Sequence, residues 1–177
     1  MTGLTKIQKK RALQETAQTA GDSADFHLVC FRLGAEVYGL NIMQIKEIIR
    51  HQKITPVPKA PCFIAGVINL RGMVIPVMDL RKRFELPADV NPRTMIIIAQ
   101  IERRIVGLVV DDVTDIITLP AAVILPPPGM VKGIEAEYLG GMADIKGRTK
   151  RDGELLFIIA LDRLLTAEEK GSLDAPL

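Results

Sequence analysis

Apolar side chains along this chain fall into short runs of strand length, and turn residues punctuate nearly every one. Residues 26–33 predict a strand, 34–36 a turn, and 37–40 a second strand. The stretch 42–49 fits neither the helical nor the alternating period, so a helical turn and a strand both stay open there. Pro56, Pro58 and Pro61 forbid a long helix and force an extended crossing, leaving room for one helical turn over 61–66. Residues 68–70 and 73–80 predict two strands joined tightly at Arg71-Gly72, where a hairpin matched to strand twist demands positive φ. Pro76 has no N–H to donate, which predicts an edge strand or a bulge. A short helix is predicted over 79–84. Further strands follow at 94–101, 104–110, 113–119 and 154–161, with a stiff proline loop from Pro126 to Gly129.

The order of these elements repeats. Gly39, Leu40, Ile48 and Ile49 recur as Gly107, Leu108, Ile116 and Ile117, and Glu47 recurs as Asp115. The run from Gly66 to Gly72 is answered by the run from Gly141 to Gly147, each with a basic residue before its closing glycine. Two blocks in register imply duplication of one folding unit, and Gly39, Gly66, Gly72, Gly107, Gly141 and Gly147 are expected as its structural turns. Each half holds about five short strands, enough to curl into a small barrel and remove free edges. The expected fold is therefore mainly β: two five-stranded barrels packed together, with a few short helices. The expected boundaries are a tail over 1–25, a first barrel over 26–90, a second over 91–160, a helix over 162–170 and a tail over 171–177.

Composition narrows the function. Of 177 residues 48% are hydrophobic, but aromatics make up only 4% and Trp is absent, so β-branched and aliphatic side chains must build the core. The net charge of +2 and the lack of aromatics among the basic clusters argue against nucleic acid. Those clusters (Lys9-Lys10-Arg11, Arg81-Lys82-Arg83 and Arg148 to Arg151) read as solvated faces and a loop. No apolar stretch follows Lys6 to Arg11, so no signal peptide is expected. The longest apolar run without Gly or Pro, 155–161, falls well short of a membrane helix. A cytoplasmic, reduced protein without direct membrane insertion is expected.

Nothing resembles a reaction centre. Ser23 and Ser172 fall in the expected tails, and His27 and Cys30 point to opposite faces of one strand. Cys62 is expected to be packed between Pro61 and Phe63, which leaves a thiol–imidazole pair with His51 remote. Asp111, Asp112 and Asp115 lack the ligand density of a calcium loop and read as breaking and capping the turn after Val110. There is no phosphate loop and no dinucleotide fingerprint. No enzyme, metal or cofactor is expected. Arg71 is different: a guanidinium at a hairpin tip reaches a carboxylate bidentately or lies against a partner helix. Its echo at Lys146 makes a basic turn part of the repeated plan, so surface and functional readings both stand, as they do for Glu47.

These residues carry a resemblance. Tyr38 to Ile42, Glu47-Ile48, Phe63 to Gly72 with its Asn-Leu-Arg-Gly motif, and Ile75 to Arg81 resemble the CheW-type chemotaxis coupling proteins. Gly107 to Asp111, Val113 and Tyr138 to Gly141 continue the likeness, which spans roughly residues 26–170. The resemblance implies two intertwined barrels of SH3 type and a non-enzymatic adaptor. Such an adaptor couples the cytoplasmic tip of a chemoreceptor to a CheA-type histidine kinase, whose regulatory domain shares the double-barrel fold, and its CheW-like copies also meet in rings. It implies a receptor groove at Ile45, Glu47, Arg71, Met95 and Ile116, and a ring contact at Pro128 and Met130. Alternatives left open are an adaptor of a non-flagellar array, such as one for pilus motility, and a general SH3-like peptide-binding module. The scarcity of aromatics weakens the latter.

Overall fold

In the computed structural model the described residues are 24–127, 134–148 and 155–174. Ten strands run through them: β1 Asp25–Leu33, β2 Glu36–Asn41, β3 Ile45–Arg50, β4 Ile64–Leu70, β5 Met73–Asp79, β6 Met95–Ile101, β7 Arg104–Val110, β8 Asp112–Pro120, β9 Leu139–Asp144 and β10 Leu155–Ile159. Two α-helices join them, α1 Leu80–Arg83 and α2 Ala167–Asp174. The ambiguous stretch 42–49 is both things in turn. A 3-10 turn spans Ile42–Gln44, with the Asn41 side chain accepting from Met43 N, and β3 follows directly.

The strands form two five-stranded sheets, ordered β8-β1-β2-β10-β9 and β3-β6-β7-β5-β4. Taking β1–β5 and β6–β10 as the two repeats, each sheet has the same plan. The first two strands of one repeat are completed by the last three of the other. The contiguous barrels expected at 26–90 and 91–160 are therefore not the sheets, because the exchange is reciprocal. Its cause is local. Only the three-residue turn Ile42–Gln44 separates β2 from β3, and only Asp111 separates β7 from β8. Neither strand folds back on its predecessor, and each crosses into the opposite sheet. This is the intertwining that the family likeness implied.

Equivalent positions perform equivalent tasks. Gly39 pairs with Ile158 across the parallel β2–β10 contact, and Gly107 pairs with Val77 across the parallel β7–β5 contact. Isolated bridges Thr55–Val67 and Leu125–Met142 cover the outer edges of β4 and β9 at matching places. Beside those bridges a Cβ on Gly66 would stand 2.0 Å from Thr55 O, and one on Gly141 3.1 Å from Leu125 O. Thus Gly39, Gly66, Gly107 and Gly141 lie inside strands where a neighbour approaches closely, and are not turns. Gly72 and Gly147 do turn the chain, with φ of 85° and 73°.

Packing explains the runs of consecutive apolar residues. Leu28, Cys30 and Val37 join a cluster drawn from the first sheet, and Ile96, Ile98 and Val109 one drawn from the second. The alternate residues Val29, Phe31, Leu33, Ile97, Ala99, Leu108 and Val110 meet in a third, larger cluster that both sheets share. The first hairpin of each repeat is thus buried on both faces, between its own barrel and the seam. The scarce aromatics gather at the seam as well. Tyr38 lies 6.1 Å from Phe31, 5.5 Å from Phe84 and 5.8 Å from Phe157, and Phe84 lies 5.6 Å from Tyr138.

The cluster Arg81-Lys82-Arg83 is not a solvated face. Arg81 is 1% exposed. Its Nε and Nη2 donate to Asp79 at 2.9 and 2.8 Å, and its Nη1 donates to Asp89 O at 2.7 Å and Asp111 at 3.1 Å. Asp79 also caps α1 by accepting from Arg81 N, and Asp111 accepts from Gly34 N at 2.7 Å. Arg83 donates bidentately to Glu169 at 3.0 and 2.9 Å and lies over the Phe63 ring, 4.1 Å from its centre. Only Lys82 of the three is exposed.

Three further expectations change. Residues 61–66 form a turn and the start of β4 instead of a helical turn. Pro76 sits in β5, an interior strand, but the parallel ladder to β7 begins one residue later at Val77, so no neighbour asks Pro76 for a proton. The final helix begins at Ala167 after a 3-10 turn at Leu161–Arg163 and reaches Asp174, beyond the expected 170. Thr166 and Glu169 cap it reciprocally, Thr166 N donating to Glu169 at 2.8 Å and Glu169 N to Thr166 Oγ1 at 3.1 Å.

Two predictions follow from this packing. Arg81→Leu strands the Asp79 and Asp111 carboxylates and is expected to cost about 3–5 kcal/mol in urea denaturation; a loss below about 1 kcal/mol, typical of surface pairs, would contradict it. Gly72→Ala meets open space and pays only for its φ, about 1 kcal/mol. Gly66→Ala, driven into Thr55 O, is expected to destabilise clearly more in the same assay, and equal losses would refute the close-approach account.

Candidate functional site

Arg71 and Glu47 find each other. Arg71 and Gly72 form a two-residue turn with φ of 50° and 85°, the left-handed pair that a tight hairpin between twisted strands requires. Asn69 steadies it by accepting from Gly72 N at 2.9 Å. Glu47 follows a bulge between Ile45 and Glu47, where β3 slips against β6. Arg71 Nη1 donates to Glu47 Oε1 at 2.6 Å and Nη2 to Oε2 at 2.9 Å, a parallel two-bond fork. The hydrogen bonds and charge of Glu47 hold the guanidinium even more firmly protonated than usual. Because β3 and β4 are opposite edges of their sheet, this pair fastens the two edges of the second barrel together.

The fork is asymmetric toward solvent: the Arg71 side chain is 64% exposed and that of Glu47 only 13%. The guanidinium therefore presents an outward edge while its carboxylate partner lies beneath it. The apolar members of the expected groove are placed otherwise. Ile45 and Met95 are buried in the seam cluster, and Ile116 is half-buried against it beside Ile48 and Val113. The groove expected from Ile45, Glu47, Arg71, Met95 and Ile116 thus resolves into an exposed charged rim over a buried apolar footing. Pro128 and Met130 lie outside the described residues.

Sequence reasoning missed three exposed apolar side chains close in sequence to Glu47 and Arg71: Met43, Met73 and Val74. Met43 lies four residues before Glu47, and Met73 and Val74 directly follow Gly72. A usable signal was there: Met73 and Val74 are adjacent apolar residues beside a two-residue turn, where one of two alternating side chains must face outward.

The chemically suspicious residues are accounted for. Burial, with Asp115 nearby adding to it, pushes the Cys30 thiol up to about 12, which removes it as a nucleophile at neutral pH. His27 Nδ1 lies 2.9 Å from Thr118 Oγ1. Asp111 serves the buried Arg81 and the turn at Gly34, and Asp112 lies 3.9 Å from Arg93. Cys62, expected to be packed, is exposed: the turn after Pro61 directs Phe63 inward and its neighbour outward. Among the described residues no cluster of metal-ligating side chains occurs, and no helix is long and apolar enough to cross a membrane. Phe31, Tyr38, Phe84 and Tyr138 are buried, so they offer no open aromatic slot of the kind that reads proline-rich peptides.

Comparison with known proteins gives a consistent result. The family model described as CheW-like domain matches residues 27–169. The chemotaxis protein CheW of Klebsiella aerogenes is 32% identical over 163 residues, 92% of this chain and 95% of that protein. The chemotaxis protein CheW of Rhizobium meliloti is 37% identical over 144 residues, 81% of this chain and 89% of that protein. The crystal structure of the scaffolding protein TtCheW from Thermoanaerobacter tengcongensis superposes with a TM-score of 0.72 at 35% identity, covering 82% of this chain and 97% of that one.

The two thiols supply a check. In the native protein iodoacetamide is expected to modify Cys62 and spare Cys30 at pH 8.5 or so, because Cys30 stays protonated far above its ordinary range. Thiolate forms first in the unfolded chain, near the ordinary value of 9.0, so this contribution to stability is complete below that pH. It is lost as pH rises toward about 12. Mass spectrometry showing equal labelling of both cysteines would refute the burial argument.

Proposed function

The chain belongs to the CheW-like domain family, whose members are chemotaxis scaffolds and not enzymes, and from that premise we propose that it couples a chemoreceptor's cytoplasmic tip to a CheA-type histidine kinase. The family match over 27–169 carries this reading. The rim geometry supports it. An exposed guanidinium fixed on a rigid hairpin, with exposed Met73 two residues after it and exposed Met43 four residues before Glu47, suits a helical partner with an apolar stripe and an acidic position. Glu47 aims the guanidinium, and Ile45, Met95 and Ile116 form the footing that keeps β3, β6 and β8 in place. The kinase's regulatory domain, and further CheW-like copies, are the proposed neighbours in a ring, with Pro128 and Met130 in the ring contact. Unlike outer faces on two related barrels suit head-to-tail contacts, which close when the rotation allows. The working location is the cytoplasmic side of a receptor array, reached through partners.

The test reconstitutes the chain with a receptor fragment and a chemotaxis kinase and measures autophosphorylation. Stimulation is expected only with all three present; stimulation without the receptor would overturn the coupling. Arg71→Glu is expected to abolish stimulation while leaving the melting temperature nearly unchanged. The charge swap Glu47→Arg/Arg71→Glu restores an internal pair but presents the wrong sign outward, so it is expected to remain inactive. Recovery by the swap would mean that the pair is only a brace.

A further inference from the structure

A groove of about 750 Å³ lies between α2, the proline-rich crossing and the β4–β5 hairpin, and none of Ile45, Glu47, Arg71, Met95 and Ile116 lines it. Its volume is that of an ordinary ligand or peptide site. Phe63, Val67, Val74 and Leu173 give it an apolar lining, with Lys59 on one side and Glu168 on the other. Two features shape it. Ala60 N donates to Val57 O at 3.4 Å around a turn in which Lys59 takes φ 60°, a conformation that non-glycine residues hold only where their surroundings impose it. The α2 wall has no buried residue and is fastened by charge, Glu169 to Arg83, Asp174 to Arg104 and Lys170 to Glu102. The wall therefore stands beside the apolar lining without covering it.

We propose that the chain's own N-terminal segment, residues 1–23, covers this groove, with Leu4 and Ile7 on its apolar lining and Lys9-Lys10-Arg11 beside Glu168. Leu4 and Ile7 are three residues apart, the spacing at which two side chains meet when a segment takes up a helical turn. The segment carries four basic residues against two acidic ones, complementary to the exposed Glu168 wall. Its length suffices. The described chain begins at Ala24, whose carbonyl accepts from Ala121 N at 3.1 Å. From there to Leu4 the backbone spans at most about 70 Å, several times the radius of gyration of about 15 Å for a domain of this size. Tethering holds the segment at an effective concentration near millimolar, so docking too weak to detect between separate molecules still fills the site. This reading is independent of which partners the scaffold holds.

Cys62, exposed and flanked by the groove residues Pro61 and Phe63, is a built-in reporter. The experiment compares thiol labelling of Cys62, and hydrogen exchange over 57–67, in the full chain and in Leu4→Asp/Ile7→Asp and Glu168→Lys variants. Occupancy by a millimolar tether predicts that each variant raises the Cys62 labelling rate about two- to tenfold. Both should also raise exchange over 57–67, independently of protein concentration. A tail-deleted chain should regain protection only when a synthetic peptide of residues 1–16 is added at millimolar concentration, matching the tether. Unchanged rates in both variants would overturn the proposal. So would protection that grows with protein concentration, which indicates a second copy, or protection that appears only when a kinase domain is added.

Discussion

A single buried guanidinium ties together the parts of this molecule that its topology separates. Arg81 belongs to the first repeat, yet it binds Asp79 at the end of β5, the Asp89 carbonyl on the way to β6, and Asp111 between β7 and β8. Asp111 in turn holds the β1–β2 turn through Gly34 N. Arginine is the residue for this task because its planar fork serves several acceptors at fixed angles and stays charged when desolvated. Bonds to Asp79 and Asp111 raise its pKa further, against the opposing effect of burial. A lysine would offer one point charge to acceptors spread around a plane.

That node matters because the strand exchange gives neither half a sheet of its own. The segment β1–β2 has partners only in the second repeat, and β6–β7 are completed only by the first. The apolar seam supplies the energy of association, and burial by itself is non-directional. Direction comes from the charged and aromatic contacts at its margin: Arg81 at one turn, Arg83 between Phe63, Tyr138 and Glu169 at another. Seam and clamps together make one body of two barrels.

The sequence made the strands, the duplication and the hairpin at Arg71-Gly72 legible, because period, punctuation and repeated glycines are local signals. The exchange was not legible in period or punctuation, since pairing partners are a property of the whole chain; only the family resemblance implied it. In a different way Arg81 was also hidden. Three consecutive basic residues look like a wet surface, and only the fold shows that Asp79 and Asp111 converge on the middle of the cluster. Ile45 and Met95 illustrate the converse. Only the family resemblance singled them out, as members of a receptor groove, and the structure buries both in the seam cluster. Glu47 and Arg71 were singled out separately, 24 residues apart, and their mutual pairing was invisible until the two sheet edges were brought together.

The same architecture explains why a chain without a reaction centre suits assembly. A scaffold transmits geometry, so its docking features must not shift independently when one is loaded. Arg71 sits on a two-residue turn whose strands are buried on the barrel side, and its carboxylate partner Glu47 sits on the other edge of the same sheet. The pair therefore ties β3 to the β4–β5 hairpin. The half-buried Ile48 and Ile116, at equivalent places in the two repeats, both pack on that seam. Displacement of either edge strand disturbs one core common to both barrels. Close-packed cores resist continuous deformation, so on the proposed reading a partner docked at the rim would meet a stiff double barrel.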